Sequence, residues 1–412
     1  MNRDDQLKNN VKVSYVYNFL TQLNMSSAIW VLYLAFRGMS LIEIGLLESV
    51  YHLTGVLFEL PTGVIADVYG KRFTVIAGRI ISIVSCVLMI TADGFWGFAI
   101  AFSLSAAALN LHSGAAEALV YDSLKIVGEE DKYKVIWGNL AFAMSIAQGA
   151  AVLLGGILAD VKFLYVYIVG TAIQIAALAV SWQFCEPPVP KEQKEQNKQA
   201  GGVLVSQFTT SMRVLMERKT VLYVMLFSAL AGSLQTTVFF YSQKYFSDMS
   251  YSKTVIAMIC ALGSLMEGVS SKYAYKLEKT MQLRGTLISI ACINIFSLAG
   301  LAFVQRLSIV FFLLIAVSGG VGFTLFSAYI NKGIPSEYRA TILSCDSLLF
   351  SLFMIGIFPL VGWIAEEMSF SVTFGMMALL YMPVMAFLAT KLKKHTHKEF
   401  IEEIKNDRIS CE

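Results

Sequence analysis

The stretch FELPTGVIADVYGKR, residues 58–72, runs from an apolar segment through one Pro and two Gly to an Asp and a basic pair. A helix that leaves a bilayer carries its charges in this position, just after its apolar residues. Gly63 has no side chain, so a neighbouring helix can approach it closely. Gly70 permits a tight turn at a positive φ angle. The stretch therefore predicts a membrane-spanning helix that ends at a short polar turn.

The composition of the whole chain agrees with this interpretation, since 56% of its 412 residues are hydrophobic and only 15% are charged. A bilayer core about 30 Å thick requires roughly 20 apolar residues per helix. Twelve such helices would use most of the chain and leave only short loops. The composition therefore predicts an all-α integral membrane protein with almost no soluble domain.

Twelve apolar segments are candidates for these helices, and they are centred near residues 25, 54, 83, 107, 147, 173, 231, 263, 295, 319, 352 and 381. The polar stretch CEPPVPKEQKEQNKQAGG has the composition of a linker and divides the segments into two sets of six. Within that linker region, residues 207–219 fit either a short amphipathic helix on the membrane surface or a solvated loop. The predicted parts are a six-helix bundle at 1–184, a cytoplasmic linker at 185–219, a pseudo-symmetric six-helix bundle at 220–391 and a cytoplasmic tail at 392–412.

The basic residues are distributed unevenly about these predicted helices. With the N-terminus inside, only five of the 32 Lys and Arg residues lie at or beyond the outer boundary, namely Arg37, Lys162, Lys244, Lys253 and Arg306. An excess of basic residues marks the cytoplasmic side of a membrane protein. We therefore predict a multi-pass protein of the plasma (inner) membrane with both termini in the cytoplasm.

Residues 63–72, GVIADVYGKR, match the pattern G-x-x-x-D-x-x-G-[RK]-[RK], which is typical of the cytoplasmic loop between the second and third helices of the major facilitator superfamily. The two halves of the chain also echo each other, as WVLYLAFRGMS at 30–40 and FYSQKYFSDMS at 240–250 illustrate. Together with the helix count and the central linker, these features cover nearly the whole chain. The chain therefore resembles that superfamily, and its bacterial drug:proton antiporters in particular.

This resemblance implies that the loop locks one bundle against the other in the outward-facing state. Asp67, one helical turn after Gly63, would face the N-terminus of the eleventh helix, whose free amides attract a carboxylate. Lys71 and Arg72 would hold the loop against anionic headgroups or an acidic helix end such as Asp122. The gate candidates are thus Gly63, Asp67, Gly70, Lys71, Arg72 and Asp122. The alternative is that DVYGKR is only a positively charged inner loop.

Ionisable side chains within the predicted membrane helices form a second candidate group. At about 100° per residue, Glu48, His52 and Glu59 fall in one sector of the second helix. An ionised group in hydrocarbon costs at least about 2.5–3.5 kcal/mol, so these side chains should face a wet cavity, pair, or be protonated. We predict Glu59 as the first proton-coupling group, Glu117 as the second, His52 as a relay and Glu48 near the outer boundary. The alternative is that Glu48 is hydrated and inert while Glu59 has a structural role.

Polar side chains in other apolar segments are candidates to line a substrate cavity. They are Asn18, Gln22, Gln148, Gln235, Glu267, Asn294 and Asp346. Tyr33 offers a stacking surface for an amphipathic or cationic compound. Aromatic residues near helix ends also serve as interfacial anchors, and Asp346 fits a helix cap as well as a cavity.

The leading hypothesis is a monomeric, proton-coupled secondary transporter that exports small amphipathic compounds or drugs. Its partners would be a small-molecule substrate, protons and the lipid bilayer, with no nucleic acid. Proton-coupled uptake of a metabolite and a membrane sensor without transport remain alternatives. An enzyme is disfavoured because the sequence has no HExxH, GxSxG or phosphate-binding G-x-x-x-x-G-K-[ST] motif, and we predict no cofactor or metal site.

Overall fold

The computed structural model of the chain describes residues 3–188, 212, 215–216, 218–334 and 339–409. Within these ranges the secondary structure is helical and contains no β-strand. The α-helices are α1 (Arg3–Gln22), α2 (Trp30–Phe36), α3 (Leu41–Tyr69), α4 (Lys71–Thr91), α5 (Gly94–Ile126), α6 (Tyr133–Val161), α7 (Phe163–Ser181), α8 (Lys219–Asp248), α9 (Lys253–Phe303), α10 (Ser308–Gly333), α11 (Arg339–Glu367) and α12 (Phe370–Ile409). Short 3₁₀ helices cover Glu130–Lys132 and Gln305–Leu307.

Eleven helical segments among the described residues are long and apolar enough to cross a membrane. They account for all the predicted segments except the first. The helix α9 supplies two of them, Lys253–Gln282 and Gly285–Phe303, because the backbone at Gln282 leaves the helical region, with φ 57° and ψ 178°. The described part of the chain is therefore all-helical and rich in candidate membrane-spanning segments, and its arrangement as twelve helices in two bundles stays a prediction.

The first predicted span, centred near residue 25, is interrupted in the structure. Helix α1 ends at Gln22 and α2 begins at Trp30. Between them, the Asn24 side chain accepts hydrogen bonds from the Ser26 backbone amide at 3.3 Å and the Ser26 hydroxyl at 2.8 Å. Asn and Ser side chains that bind nearby backbone groups in this way compete with the helix. A single continuous first helix is therefore wrong.

The described residues group into two compact units. The first contains the described part of residues 1–203 together with Gln243–Ala261, and the second contains the described part of 204–242 together with residues from Leu262 onward. The predicted linker at 185–219 lies largely outside the described residues, and the predicted boundaries at 184 and 219 stay predictions. The predicted tail includes the last part of α12, which continues to Ile409.

In the first unit, α4 packs against α5 and α7, and α1 packs against α5, α6 and α7. Their shared core near the start of α4 contains Tyr17, Val75, Leu119 and Phe184. The rings of Tyr17 and Phe184 meet edge to face, with centroids 5.4 Å apart. This core places the ends of α3, α5 and α7 around the turn at Gly70.

The second unit has an aromatic core of its own. Tyr241 is fully buried, and its ring stacks on Phe358 with centroids 4.5 Å apart. Phe227 and Phe326 meet edge to face at 5.6 Å. Helices α11 and α12 pack against each other in the same unit.

Candidate functional site

The turn between α3 and α4 is built around Gly70, whose φ angle is +98° and ψ angle 154°. Residues other than glycine rarely adopt this conformation. Its geometry lets the Glu186 carboxylate accept hydrogen bonds from the backbone amides of Lys71 at 2.9 Å and Arg72 at 2.6 Å. The carboxylate therefore binds the positively polarised N-terminus of α4.

Side chains strengthen the same turn. Lys71 forms an ion pair with Asp122 near the end of α5, and one of the Arg72 Nη atoms donates to the Trp182 carbonyl oxygen at 2.8 Å. The structure thus brings Gly70, Lys71, Arg72 and Asp122 together, and their role as a gate stays a prediction.

The other two gate candidates lie in more open surroundings. Among the described residues outside its own helix, no heavy atom lies within 4 Å of the position that a Cβ atom on Gly63 would take. Asp67 is exposed, and the residues immediately before α11, 335–338, lie outside those described. The close helix approach expected at Gly63 and the partner expected for Asp67 therefore stay predictions.

Two residues at this turn were not predicted from the sequence. Glu186 lies in a stretch whose Pro, Lys and Glu content indicated only a linker. Asn10 is fully buried and ties α1 to that stretch: its side-chain amide donates to the Cys185 carbonyl oxygen and accepts from the Cys185 amide, each at 2.8 Å. It also donates to the Ser123 hydroxyl at 2.8 Å. For Asn10, the sequence offered one signal, a polar residue within the first helix, α1.

The start of α3 carries a complete capping box. The Ser40 hydroxyl accepts from the Glu43 amide, and the Glu43 carboxylate accepts from the Ser40 amide at 2.9 Å. Such a box fixes where a helix begins. The box therefore fixes the residue at which α3 starts, and so the face of the helix on which each later residue lies.

Glu48 and His52 form a largely buried pair one turn apart on α3. Glu48 is 8% exposed, and its Oε1 lies 3.5 Å from the His52 Nε2. The Tyr51 ring meets the His52 ring edge to face at 5.6 Å. The packing around α3 therefore covers most of Glu48, and the functional and the inert alternative for this residue both stay predictions.

The other two predicted proton-coupling groups occupy more open positions. Glu59 is partly exposed, two residues before Pro61 within α3. Glu117 is exposed on α5 and accepts a hydrogen bond from the Tyr133 hydroxyl at 2.8 Å. Of the four predicted proton-coupling groups, Glu48 and His52 are therefore the two that are largely covered by the protein.

The buried Arg79 of α4 adds a cation to the first unit. Its guanidinium carbon lies 5.6 Å from the centre of the Tyr17 ring, and its Nη1 donates to the Gln174 Oε1 at 2.7 Å. Asp122, the acidic helix end expected to hold Lys71 or Arg72, pairs with Lys71. The contacts of Arg79 therefore tie α1, α4 and α7 together inside the unit.

The predicted cavity residues of the first unit have packing partners. The Asn18 side chain donates to the Ser14 carbonyl oxygen of its own helix, and Gln148 donates to the Ser27 hydroxyl at 3.2 Å. Tyr33 is buried against Tyr167, with ring centroids 4.2 Å apart. Gln22 is partly exposed at the end of α1. These contacts place Tyr33 in the core of the unit.

Two predicted cavity residues of the second unit join one buried network. Gln235 donates to the Ser318 hydroxyl at 3.1 Å, and that hydroxyl donates to the Asn294 Oδ1 at 2.5 Å. The Asn294 amide then donates to the Tyr381 hydroxyl at 3.3 Å. This chain of hydrogen bonds links α8, α9, α10 and α12.

The two acidic candidates of the second unit differ in their surroundings. Glu267 is exposed on α9. Asp346 lies about two turns inside α11, so it is not a cap, and its Oδ1 is buried without a hydrogen-bond partner among the described residues. A buried carboxylate oxygen without a partner is an unfavourable environment for an ionised group, and this distinguishes Asp346 from the exposed Glu267.

Comparison with known proteins places these features in a family. The model of the Major Facilitator Superfamily matches residues 13–359, which is most of the chain. The chain belongs to the major facilitator superfamily. The predicted family is thereby confirmed, and with eleven candidate spans the chain is a multi-pass membrane protein of a transporter superfamily. Membership in this superfamily favours a transporter over an enzyme.

Relatives within the superfamily cover most of the chain. The uncharacterized MFS-type transporter YxaM of Bacillus subtilis (strain 168) is 22% identical over 403 residues, which is 95% of this chain and 99% of that protein. Among solved structures, a mutant of the nucleoside transporter NupG matches with a TM-score of 0.74 at 14% identity, over 96% of this chain and 100% of that one. A D-xylose-proton symporter matches with a TM-score of 0.64 at 11% identity, over 93% and 95% of the two chains. At these low identities, the two comparisons show a shared fold and not a shared substrate.

Proposed function

We propose that the chain is a proton-coupled secondary transporter that exports small amphipathic compounds or drugs across the plasma membrane by alternating access. Superfamily membership supports the transporter. The observation that carries the proton coupling is the buried Glu48–His52 pair within a membrane-spanning helix. Ionisable groups are retained at such positions when they have a function, because burying them is costly.

The Glu48–His52 pair can gain a proton and become neutral overall. With neutral His52 and ionised Glu48, it carries one negative charge; adding one proton brings its net charge to zero. Protonation would thus remove the net charge of the pair, and release would restore it. Asp346 in the second unit is the next candidate, with Glu59 and Glu117 after it.

The turn at Gly70 supplies the gate in this proposal. Asp67, Lys71, Arg72 and Asp122 would lock the cytoplasmic side in the outward-facing state, as the superfamily pattern implies. The ion pair between Lys71 and Asp122 supports the part of the lock within the first unit. Both termini would lie in the cytoplasm, and the protein would act as a monomer.

Everted membrane vesicles test the export reaction directly. Respiration acidifies the lumen of such vesicles, and a pH-sensitive dye reports the gradient. Ethidium and other cationic dyes should partly dissipate the gradient only in vesicles that contain the protein, because each dye molecule entering the lumen would exchange for protons. Dye accumulation that persists unchanged after a protonophore is added would contradict proton coupling.

Uptake is the second candidate function. It is favoured by the fold shared with the nucleoside transporter NupG and with a D-xylose-proton symporter. Counterflow in whole cells preloaded with nucleosides, sugars or carboxylates separates the two functions. Counterflow of one of these solutes, without any exchange of cationic dyes, would favour uptake over export.

A further inference from the structure

Arg79 lies near the middle of α4, a candidate membrane span, and its side chain is only 1% exposed. Arginine is almost never buried to this extent unless it is paired with a group of opposite charge. A guanidinium also stays protonated in proteins, so the loss of a proton cannot relieve the cost of burying it. The charge of Arg79 therefore requires compensation inside the first unit.

The protein groups around Arg79 supply no negative charge. Its Nη1 donates to the neutral Gln174 amide, and its guanidinium lies over the neutral Tyr17 ring. Within the part of the chain that the structure describes, no carboxylate forms an ion pair with Arg79. The neighbouring helix α5 brings His112 close to α4, since a Cβ atom on Gly78 would lie 3.0 Å from the His112 Cβ. An imidazole can add positive charge here but no negative charge.

Hydrogen-bond donors are left over at the same place. The Arg79 Nε and Nη2 atoms and the Tyr17 hydroxyl are buried and have no hydrogen-bond partner among the described residues. Buried polar atoms are normally satisfied by protein, by ordered water or by an ion. Because Arg79 and Tyr17 contact each other across α4 and α1, their free donors belong to one polar region. This region offers donors and a positive charge, which are the requirements for binding an anion.

We propose that the first unit binds a chloride ion between the Arg79 guanidinium and the Tyr17 hydroxyl. A water molecule there could accept hydrogen bonds, but it would leave the buried positive charge without a counter-charge, which is strongly destabilising. A halide accepts hydrogen bonds from both side chains and also neutralises the guanidinium. The ion would hold α1 and α4 together inside the unit and has no part in the transport reaction proposed above.

The packing around Arg79 favours a monatomic anion over an organic one. Val75, one turn before Arg79 on α4, is fully buried in the same core as Leu119. The Tyr17 ring packs edge to face against Phe184 in that core. A carboxylate or phosphate carried on a larger molecule would have to displace these side chains. A chloride ion is little larger than a water molecule, which buried polar sites commonly hold.

Chloride replacement tests the site on the full-length protein in detergent. Sodium chloride is exchanged for sodium gluconate at equal ionic strength, and the midpoint of thermal unfolding is followed. The midpoint should be higher in chloride, with saturation, because a ligand that binds only the folded state stabilises it. Bromide should replace chloride. If exchange is too slow for this effect, protein desalted into gluconate and then unfolded should release chloride in equimolar amount, measured by ion chromatography.

Equal midpoints in the two salts, together with no chloride released from the desalted protein, would overturn the proposal. Neither measurement involves transport, so the vesicle experiment and this one fail independently of each other.

Two variants assign the chloride effect to this site. Tyr17→Phe keeps the ring and removes one donor to a charged group. It should weaken binding about tenfold, seen as a higher half-saturating chloride concentration or as less chloride retained. Arg79→Gln should abolish both chloride effects. Arg37→Gln is the matched control and should keep them, because Arg37 has protein partners that include the Asp93 carboxylate.

Gel filtration shows whether each variant is folded, and Tyr17→Phe decides the matter if Arg79→Gln does not fold. If the Tyr17 hydroxyl binds no ion, removing this unpartnered group should leave chloride binding unchanged. Wild-type chloride binding in Tyr17→Phe, or in a folded Arg79→Gln variant, would therefore contradict a site at these two residues.

Discussion

At the residue scale, carboxylates at helix N-termini recur in the first unit. Glu186 accepts from two amides at the start of α4, and Asp160 accepts from two at the start of α9. The sequence pattern assigned this role to Asp67, since the spacing in GVIADVYGKR is recognisable. Glu186 and Asp160 could not be predicted in this way, because each binds a helix about 90 or more residues away in the chain.

Gly70 gives a test at this scale. Gly70→Ala places a Cβ atom at a φ angle of +98° and 3.0 Å from the Glu186 Oε1. It should destabilise the protein by about 1–3 kcal/mol, the usual cost of such a backbone position, and lower the midpoint of thermal unfolding in detergent. Gly114→Ala is the control, since Gly114 lies inside α5 with open space around it. Equal midpoints for the two variants would show that the turn does not depend on glycine.

At the element scale, hydropathy was sufficient to predict where most membrane helices lie but not where the first is interrupted. The apolar segment centred near residue 25 has the length of a span, yet local hydrogen bonds of Asn24 divide it. The buried Glu48–His52 pair was also only partly predictable. Helical periodicity placed both residues on one face, whereas the burial of Glu48 depends on how α3 packs within the unit.

The loop after α5 gives a test that depends on pH. The Glu129 carboxylate lies 2.9 Å from the Lys8 Nζ of α1 and 2.9 Å from the Lys132 Nζ, and these hydrogen bonds lower the pKa of Glu129 below its usual 4.5. The stabilising contribution is therefore present above the unfolded pKa and is lost as the pH falls through the lower folded value.

Glu129→Gln should consequently lower the unfolding midpoint at pH 7, and the difference from the wild type should shrink at about pH 3. High salt should also reduce the difference, because the cluster is exposed. Asp131→Asn, a change of the same kind in the same loop, should have no such pH-dependent effect. A difference that is the same at both pH values would show that the ion pairs contribute nothing.

At the scale of the whole molecule, superfamily membership and the helical spans establish a transporter architecture, whereas direction and coupling depend on few residues. The proposal assigns proton coupling to a pair on α3 and a gate to the turn at Gly70. Composition and motif spacing predicted the class of protein. The cavity residues could be predicted less well, because Tyr33 proved to be part of a core and Asn294 part of a buried network.

Proton movement into proteoliposomes that contain a pH-sensitive dye shows whether the pair on α3 couples transport to protons. A gradient of a cationic compound that the wild-type protein transports should change the internal pH. Glu48→Gln should reduce this change about tenfold or more while the protein remains folded, because a proton-transfer group typically contributes at least that much. Glu43→Gln, which preserves the capping box at the start of the same helix, should retain the wild-type response. Proton movement at the wild-type rate in Glu48→Gln would contradict the assignment of proton coupling to this pair.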